Sequence, residues 1–311
     1  MTSTSHKQPH CCFSNITDVS IEFISTGKVK MREPMSGQPI TNKNTTLRLL
    51  RSFTGEWTPW MPIDVFLNKH PNGPILIDTG ASPQCMEPGY FPTLSYLATV
   101  LNRLELEPED GVVSQMEKLG VRPTDLQAVV LTHLHHDHAG GLKEIVEAAP
   151  DVPVYISTTH WEAFGKHPTY AAMQGCASNH WPKEFNLKLL KFEGGPIGPW
   201  SQSESITVDG AVIAVETPGH VPGHLSVIVK GSSSDTDEAE KYFITGDATY
   251  SLELLERGEP DGINQDPMAA FKSLQLIKEF SRKEKVVLLV SHDANTAARL
   301  RLKEVYHPKE E

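Results

Sequence analysis

Residues 129–141 read Val-Val-Leu-Thr-His-Leu-His-His-Asp-His-Ala-Gly-Gly, and they are the most informative segment of the sequence. The apolar run that ends at Leu131 is typical of a buried strand. The residues directly after it are rich in imidazole and carboxylate groups, the side chains that bind divalent metal ions. A solvated loop would rarely carry this combination by chance. We therefore interpret the stretch as a strand that delivers metal ligands to the edge of a sheet.

The spacing within this stretch allows the side chains to converge. His133 and His135 are two residues apart, and alternate side chains of an extended backbone point the same way. Asp137 and His138 lie at the bend before a helix, from which they can reach a neighbouring point. The two glycines that follow permit a tight turn there. One short loop cannot complete two metal sites, so further ligands must come from elsewhere.

Three later segments repeat the same context, in which an apolar strand ends and a turn follows. They are Thr-Pro-Gly-His ending at His220, Thr-Gly-Asp ending at Asp247, and Ser-His-Asp around His292. Ligands at the ends of several strands are what an active site on a rigid scaffold requires. We expect these three side chains to join the histidine stretch in one metal centre.

Length and composition suit a globular protein and exclude other classes. The chain has 311 residues, of which 39% are hydrophobic and 22% charged, so a buried core is expected. A net charge of −11 argues against nucleic acid or an anionic membrane as the partner. No apolar run approaches the ~20 residues of a membrane span, and the polar start lacks the features of a signal peptide. We expect a cytoplasmic protein, and the sequence is compatible with a homo-oligomer.

The rest of the pattern predicts strands, then alternating helices and strands, then strands again. Val19–Thr26 is expected to be the first strand, and a second is expected near Leu47–Phe53. Residues 63–67 and 74–78 flank a turn-forming cluster and predict a β-hairpin. Apolar residues recur about every three positions from Met268 to Phe280, which predicts an amphipathic helix. Two sheets packed on each other with helices outside would fit this order.

The motifs resemble those of the metallo-β-lactamase superfamily, an αββα sandwich, and most closely those of its N-acyl-homoserine lactonases. In chain order they are Pro-Ile-Leu-Ile-Asp-Thr-Gly (74–80), Thr-His-Leu-His-His-Asp-His-Ala-Gly-Gly (132–141), Thr-Pro-Gly-His-Val-Pro-Gly-His (217–224), Gly-Asp-Ala-Thr-Tyr (246–250) and Ser-His-Asp (291–293). The resemblance implies an α/β fold of two mixed β-sheets packed together in a single hydrolase domain, residues 18–311. Residues 1–17 are expected to form a flexible tail, and the acidic segment 232–240 an exposed loop.

Carried onto this chain, the resemblance implies a site for two divalent cations. The implied ligands are His133, His135 and His220 for the first ion, Asp137, His138 and His292 for the second, and Asp247 as a bridge. Imidazoles and carboxylates without a thiolate suit two Zn²⁺ per chain, and Co²⁺, Mn²⁺ or Fe²⁺ would also fit. Such a pair of ions lowers the pKa of a shared water, and the resulting bridging hydroxide would attack a carbonyl carbon.

Other residues have implied or open roles. Tyr250 would contact the lactone carbonyl, Asp137 would pass a proton to the departing ring oxygen, and Asp78 would orient the metal loop. The aromatic residues that either line an acyl-chain cleft or pack in the core are Trp57, Trp60, Tyr90 and Phe91. The histidines for which the sequence shows no partner are His70, His160, His167 and His180. His136 is expected to line the pocket or face solvent rather than bind metal, and His224 is expected to be structural or to support a ligand from behind rather than bind metal itself.

The leading hypothesis is a dinuclear-zinc hydrolase that opens the ring of a small-molecule lactone, foremost an N-acyl-homoserine lactone. Alternatives on the same scaffold are a glyoxalase-II-like thioesterase, a β-lactamase and a phosphotriesterase. A metal-bound protein that binds a ligand without turnover is a different class, and the complete ligand set argues against it. The segment around Trp161–Trp200 is longer than the lactonase pattern suggests. We expect it to reshape the pocket or to support a subunit contact.

Overall fold

The structure, a computed structural model, describes residues 20–176, 178–231 and 241–309. The tail expected at residues 1–17 and the loop expected at 232–240 lie outside the described residues. Strands within the described ranges form two sheets, one of seven strands and one of five.

The first sheet is mixed. Its strands are β1 (Ser20–Met31), β2 (Met61–Lys69), β3 (Ile75–Ile77), β4 (Asn102–Glu105), β5 (Ala128–Val130), β6 (Val154–Ser157) and β7 (Leu187–Leu190). They are ordered β4-β1-β2-β3-β5-β6-β7. The pairs from β4 to β3 are antiparallel and those from β3 to β7 are parallel. The antiparallel β2–β3 pair confirms the predicted hairpin.

The second sheet is also mixed. Its strands are β8 (Glu204–Ser205), β9 (Val212–Glu216), β10 (Leu225–Lys230), β11 (Lys241–Ile244) and β12 (Val286–Leu289). The order is β12-β11-β10-β9-β8. Strands β11 and β12 are parallel, and the other neighbours are antiparallel.

Helices cover the outer faces and connect the strands. They are α1 (Glu33–Ser36), α2 (Thr45–Arg51), α3 (Tyr96–Leu101), α4 (Val112–Lys118), α5 (His136–Ala139), α6 (Leu142–Ala148), α7 (Thr158–His160), α8 (Pro168–Met173), α9 (Leu252–Arg257), α10 (Pro267–Lys283) and α11 (Thr296–Leu302). Helix α10 confirms the predicted amphipathic helix. Within the described ranges, none of the helices is both long enough and apolar enough to cross a bilayer.

The core has the layers of an αββα sandwich. Buried side chains from both sheets, such as Ile77 and Val130 of the first and Val227 and Ile244 of the second, pack into one cluster between them. Helices α4 and α6 cover the outer face of the first sheet, and α10 covers that of the second. This arrangement confirms the fold expected from the sequence.

The prediction of a strand near Leu47–Phe53 is wrong, because Leu47 to Arg51 form most of helix α2. The Asn44 side chain caps this helix by accepting a hydrogen bond from the Leu47 backbone N–H at 3.0 Å. Helical spacing turns the Arg48 side chain inward, where it is fully buried, and leaves Leu47 exposed. Capping and the burial of Arg48 thus outweigh the strand preference suggested by the local apolar pattern.

Candidate metal centre

Loops at the ends of strands bring the predicted ligands together. His133 and His135 follow β5, His220 follows β9, Asp247 follows β11 and His292 follows β12. The backbone N–H of Leu225 donates to the carbonyl of Thr132 at 3.1 Å, which joins the loops of the two sheets directly. The centre therefore lies at a shared edge of the sandwich, as the strand–turn context predicts.

The first ligand group lies on one side of Asp247. Nδ1 of His135 is 2.9 Å from Nε2 of His133 and 3.0 Å from Nε2 of His220. Oδ2 of Asp247 is 3.6 Å from Nε2 of His220 and 3.9 Å from Nε2 of His133. These four ligand atoms lie within 4.8 Å of one another, close enough to hold one ion.

The second group lies on the other side of the same carboxylate. Oδ1 of Asp247 is 3.0 Å from Nε2 of His138 and 3.3 Å from Nε2 of His292. Oδ2 of Asp137 is 3.7 Å from Nε2 of His292. Asp247 thus presents one oxygen to each ligand group, which is the arrangement that a bridging ligand needs.

The donor set fits divalent cations. Nε2 of His138, Nε2 of His292 and Oδ1 of Asp247 are buried and, although they lie close to one another, make no hydrogen bond of acceptable geometry to any described residue. Buried polar atoms of this kind are costly unless something satisfies them, and a metal ion between them would do so. Borderline-soft ions such as Zn²⁺ favour imidazole and carboxylate ligands of this type.

Burial and neighbouring charges favour the metal-binding protonation states of His133, His135 and Asp247. Burial, and after it the neighbouring imidazoles, lower the pKa of His133 and of His135 well below the ordinary value. Both rings are therefore neutral, the form that binds a metal ion. Burial opposes the ionisation of Asp247, but the adjacent rings of His138 and His292 outweigh it and hold the pKa of that carboxyl well below its usual range.

Asp78 orients the second ligand group. Its Oδ2 lies 2.8 Å from Nδ1 of His138, and its Oδ1 accepts a hydrogen bond from the backbone N–H of Thr132 at 2.8 Å. On the same side, Nδ1 of His292 donates to the carbonyl of Pro62 at 2.9 Å. Asp78 has a φ of 60°, a left-handed conformation that costs energy for a non-glycine residue. Its position supports the orienting role expected for it.

Asp261 lies beside the predicted ligand His220, and our sequence analysis did not identify it. Its Oδ2 lies 3.3 Å from Nδ1 of His220. The buried guanidinium of Arg48 donates to the carbonyls of Pro260 and Asp261, both at 2.7 Å, which fixes the segment that carries this carboxylate. No motif marks Asp261, because the contact joins segments that are distant in sequence. An aspartate beside a histidine ligand is detectable only once the fold is known.

Tyr250 is buried at the metal centre. Its ring stacks on that of His292, with centroids 5.2 Å apart and an interplanar angle of 16°. Burial, and after it the Asp247 carboxylate, raise the pKa of Tyr250 well above its ordinary value. The phenol is therefore protonated at neutral pH and is available as a hydrogen-bond donor.

A cavity of about 370 Å³ opens onto the ligands. Apart from the metal centre, its wall includes Met31, Met35, Thr45, Thr46, Leu49, Leu101, Asn102, Tyr170, Met173, Gln174, Ile263, Asn264 and Gln265. Helix α8 contributes Tyr170 and Met173, so the long segment between the ligand motifs does shape the pocket. The wall is mixed, with apolar side chains suited to an aliphatic group and polar ones suited to an amide.

The four aromatic residues whose roles the sequence left open, Trp57, Trp60, Tyr90 and Phe91, are not among the described residues that line the cavity. The Arg32 guanidinium lies 4.2 Å from the ring centroid of Trp57, and Lys30 lies 4.6 Å from that of Trp60. Both tryptophans therefore make cation–π contacts near the surface. Phe91 packs edge-on against His136 with centroids 5.1 Å apart. Its contribution to the pocket is indirect, through the position of that ring.

The structure provides partners for three histidines that have none in the sequence. Nε2 of His70 lies 2.8 Å from Oδ2 of Asp209, and His180 stacks on Tyr90 with centroids 4.9 Å apart. His160 hydrogen-bonds to two loops of the metal centre, and burial lowers its pKa to about 4. His136 lines the cavity.

A family model described as the metallo-beta-lactamase superfamily matches residues 58–292. The chain belongs to this superfamily. It is a hydrolase of the metallo-β-lactamase fold and is similar in sequence to the lactonases. N-acyl homoserine lactonase AiiA of Bacillus thuringiensis subsp. kurstaki is 29% identical over 234 residues, which cover 75% of this chain and 82% of AiiA.

Solved structures show the same fold. An N-acyl homoserine lactone hydrolase with the product N-hexanoyl-L-homoserine at its catalytic metal centre has a TM-score of 0.67 at 22% identity, covering 94% of this chain and 100% of that one. AidC, a dizinc quorum-quenching lactonase in complex with its product, has a TM-score of 0.57 at 18% identity, covering 90% of this chain and 91% of AidC.

Proposed function

We propose that this protein is a dinuclear-zinc hydrolase that opens the ring of an N-acyl homoserine lactone. One observation carries the proposal: Asp247 offers one carboxylate oxygen to each of two ligand groups, at the floor of a cavity beside a protonated Tyr250. The names of the relatives, N-acyl homoserine lactonase and dizinc quorum-quenching lactonase, support the substrate class and the metal.

Each of the two ligand groups would hold one of the two ions. In the proposal the first ion is held by His133, His135 and His220, the second by Asp137, His138 and His292, and both by Asp247. When bound, such ions polarise an ester carbonyl and lower the pKa of a water molecule toward neutrality.

Two side chains of the protein complete the chemistry. Tyr250 would donate its phenolic hydrogen to the lactone carbonyl oxygen, where negative charge develops during attack. Asp137 would take up the proton released by the attacking water and pass it to the ring oxygen as the bond from that oxygen to the carbonyl carbon breaks. The apolar wall, with Met31, Met35 and Leu49 among its members, would exclude water around the acyl chain.

A substrate panel tests the proposal against its alternatives. Zinc-loaded protein is incubated with a medium-chain N-acyl homoserine lactone, a glutathione thioester, a β-lactam and a phosphotriester, and the product of each is measured. We expect the lactone to be opened with the highest kcat/KM. A thioester, lactam or phosphotriester that is turned over while every lactone stays intact would move the protein to that alternative activity.

A further inference from the structure

Two fully buried histidines outside the ligand set bond to the loops that carry the ligands. The backbone N–H of Leu134, between His133 and His135, donates to Nε2 of His160 at 2.9 Å. Nδ1 of the same ring lies 2.8 Å from the carbonyl of Pro222. A carbonyl only accepts, so the proton of His160 is on Nδ1 and Nε2 is the acceptor. One neutral imidazole thus connects the histidine loop to the loop that follows His220.

His224 makes the equivalent connection to the bridging ligand. The backbone N–H of Asp247 donates to its Nε2 at 3.0 Å, and its Nδ1 lies 2.9 Å from Oγ1 of Thr217. Oγ1 of Thr217 lies 2.8 Å from the hydroxyl of Ser226, which donates to the carbonyl of Thr245 at 2.9 Å. The amide of Asp247 can only donate and the carbonyl of Thr245 can only accept. The hydrogen bonds between them therefore run through the side chains of His224, Thr217 and Ser226, in that order.

Two glycines with positive φ allow these close approaches. A Cβ on Gly246, whose φ is +54°, would lie 2.7 Å from Nε2 of His224. A Cβ on Gly223, whose φ is +65°, would lie 2.4 Å from the backbone nitrogen of His160. A side chain at Gly246 would displace the ring of His224, and one at Gly223 would displace the backbone that carries His160. Each glycine therefore permits one of the two close approaches.

We propose that His160 and His224 are positioning residues that hold the three ligand loops in their metal-binding arrangement before metal binds. His160 ties His133 and His135 to the loop of His220, and His224 ties that loop to Asp247. Without these bonds the loops would have to be ordered by the metal itself, and affinity would fall. The inference rests on the metal centre proposed above and is independent of the substrate.

Substitutions at each histidine separate the hydrogen bond from the volume of the ring. Gln places a polar atom near the position of Nε2 and retains the bond to the ligand loop, whereas Asn reaches only the position of Nδ1. Leu fills space without bonding. We therefore expect His160→Gln and His224→Gln to stay within about threefold of the wild-type affinity for Zn²⁺. The Asn and Leu variants should lose about 10- to 100-fold, the range typical of residues that orient ligands.

Affinity is measured on metal-free protein by competition with a chelator, and both binding events are resolved. His160→Leu should weaken chiefly the site of His133, His135 and His220, whereas His224→Leu should weaken both sites because Asp247 bridges them. His70→Leu is the matched control. It removes another buried histidine, the one paired with Asp209, and should lower stability without changing metal affinity.

The rank order of zinc affinity among the Gln, Asn and Leu variants tests the proposal. Equal affinity in the Gln and Leu variants, or wild-type affinity in folded Asn and Leu variants, would overturn the inference. If a Leu variant does not fold, the comparison of Gln with Asn still tests it. Failure of the protein on every lactone would count against the proposed function and would leave these metal affinities unaffected.

Discussion

The Asp261 carboxylate lies 3.3 Å from Nδ1 of His220, on the edge of the ring away from Nε2, the atom that faces the other ligands. A carboxylate in this position fixes the ring orientation and raises the basicity of the ligand nitrogen. Asp78 stands in the same relation to His138. Each ligand group therefore contains one histidine that is oriented by an aspartate from a different part of the chain.

Replacing Asp261 should weaken metal binding at one site. In Asp261→Asn the side chain keeps its shape but loses its charge, so we expect about a 10-fold loss of affinity in the group that contains His220. Chelator competition on metal-free protein measures this loss. Asp151→Asn, at an exposed position, should bind both ions like the wild type. Unchanged affinity in Asp261→Asn would show that the carboxylate does not support the ligand.

Removing the hydroxyl of Tyr250 should slow catalysis while leaving the metals in place. Tyr250→Phe retains the ring that stacks on His292 and removes only the donor, so kcat on the lactone should fall about 100-fold. Tyr170→Phe is a matched control in the same cavity and should keep a wild-type kcat. Steady-state kinetics measures kcat of both variants, and metal analysis shows whether each still binds its ions. A wild-type kcat in Tyr250→Phe would exclude the donor role.

Arg48 should be essential for the wall formed by helix α2. Its guanidinium donates to five backbone carbonyls, those of Gln38, Pro39, Asn42, Pro260 and Asp261. Arg48→Met would remove these five bonds and should lower the free energy of unfolding by about 2–4 kcal/mol. KM should rise because Thr45 and Leu49 line the cavity. Arg51→Met, on the exposed side of α2, should change neither the free energy of unfolding nor KM. Denaturant unfolding and steady-state kinetics measure the two quantities.

The hydrogen bonds that the Asp209 carboxylate accepts should make stability depend on acid pH. Burial opposes ionisation of Asp209, but bonds from Thr207, Ala211 and His70 outweigh it and lower its pKa from 3.8 to about 2. A lowered pKa stabilises the fold at pH values above the unfolded pKa, and this contribution is lost as the pH falls through the folded one. The stability difference between wild type and Asp209→Asn should therefore be constant above about pH 5 and shrink to a small remainder near pH 2.

Denaturant unfolding of the metal-free proteins at several pH values measures this difference, since metal loss in acid would otherwise obscure it. A difference that persists unchanged to pH 2 would contradict the assignment of the lowered pKa to Asp209.

Short-range patterns made the layers and the ligand loops predictable from sequence. The strand before His133 and the amphipathic helix ending near Phe280 each show their periodicity within one element. The hairpin turn between β2 and β3 is similarly local. Local signals of this kind identify elements because backbone geometry and burial repeat along the same segment.

The contacts that join distant segments were not predictable. Asp261 meets His220, and His160 meets Leu134, only after the sheets have packed. Helix α2 illustrates a different failure, since the periodicity of a short apolar run such as Leu47–Phe53 does not distinguish a strand from a helix. The cap from Asn44 is a local contact, but the bonds of Arg48 to the 260–261 segment involve residues far away in sequence. Tertiary contacts of this kind override local propensity.

The most direct test of the account is the rate of N-acyl homoserine lactone hydrolysis as zinc is returned to metal-free protein. We expect little activity without metal, full activity at about two equivalents, and none in Asp247→Ala, which lacks the carboxylate shared by both ligand groups. A wild-type protein that binds two zinc ions and leaves the lactone ring closed would contradict the proposed function.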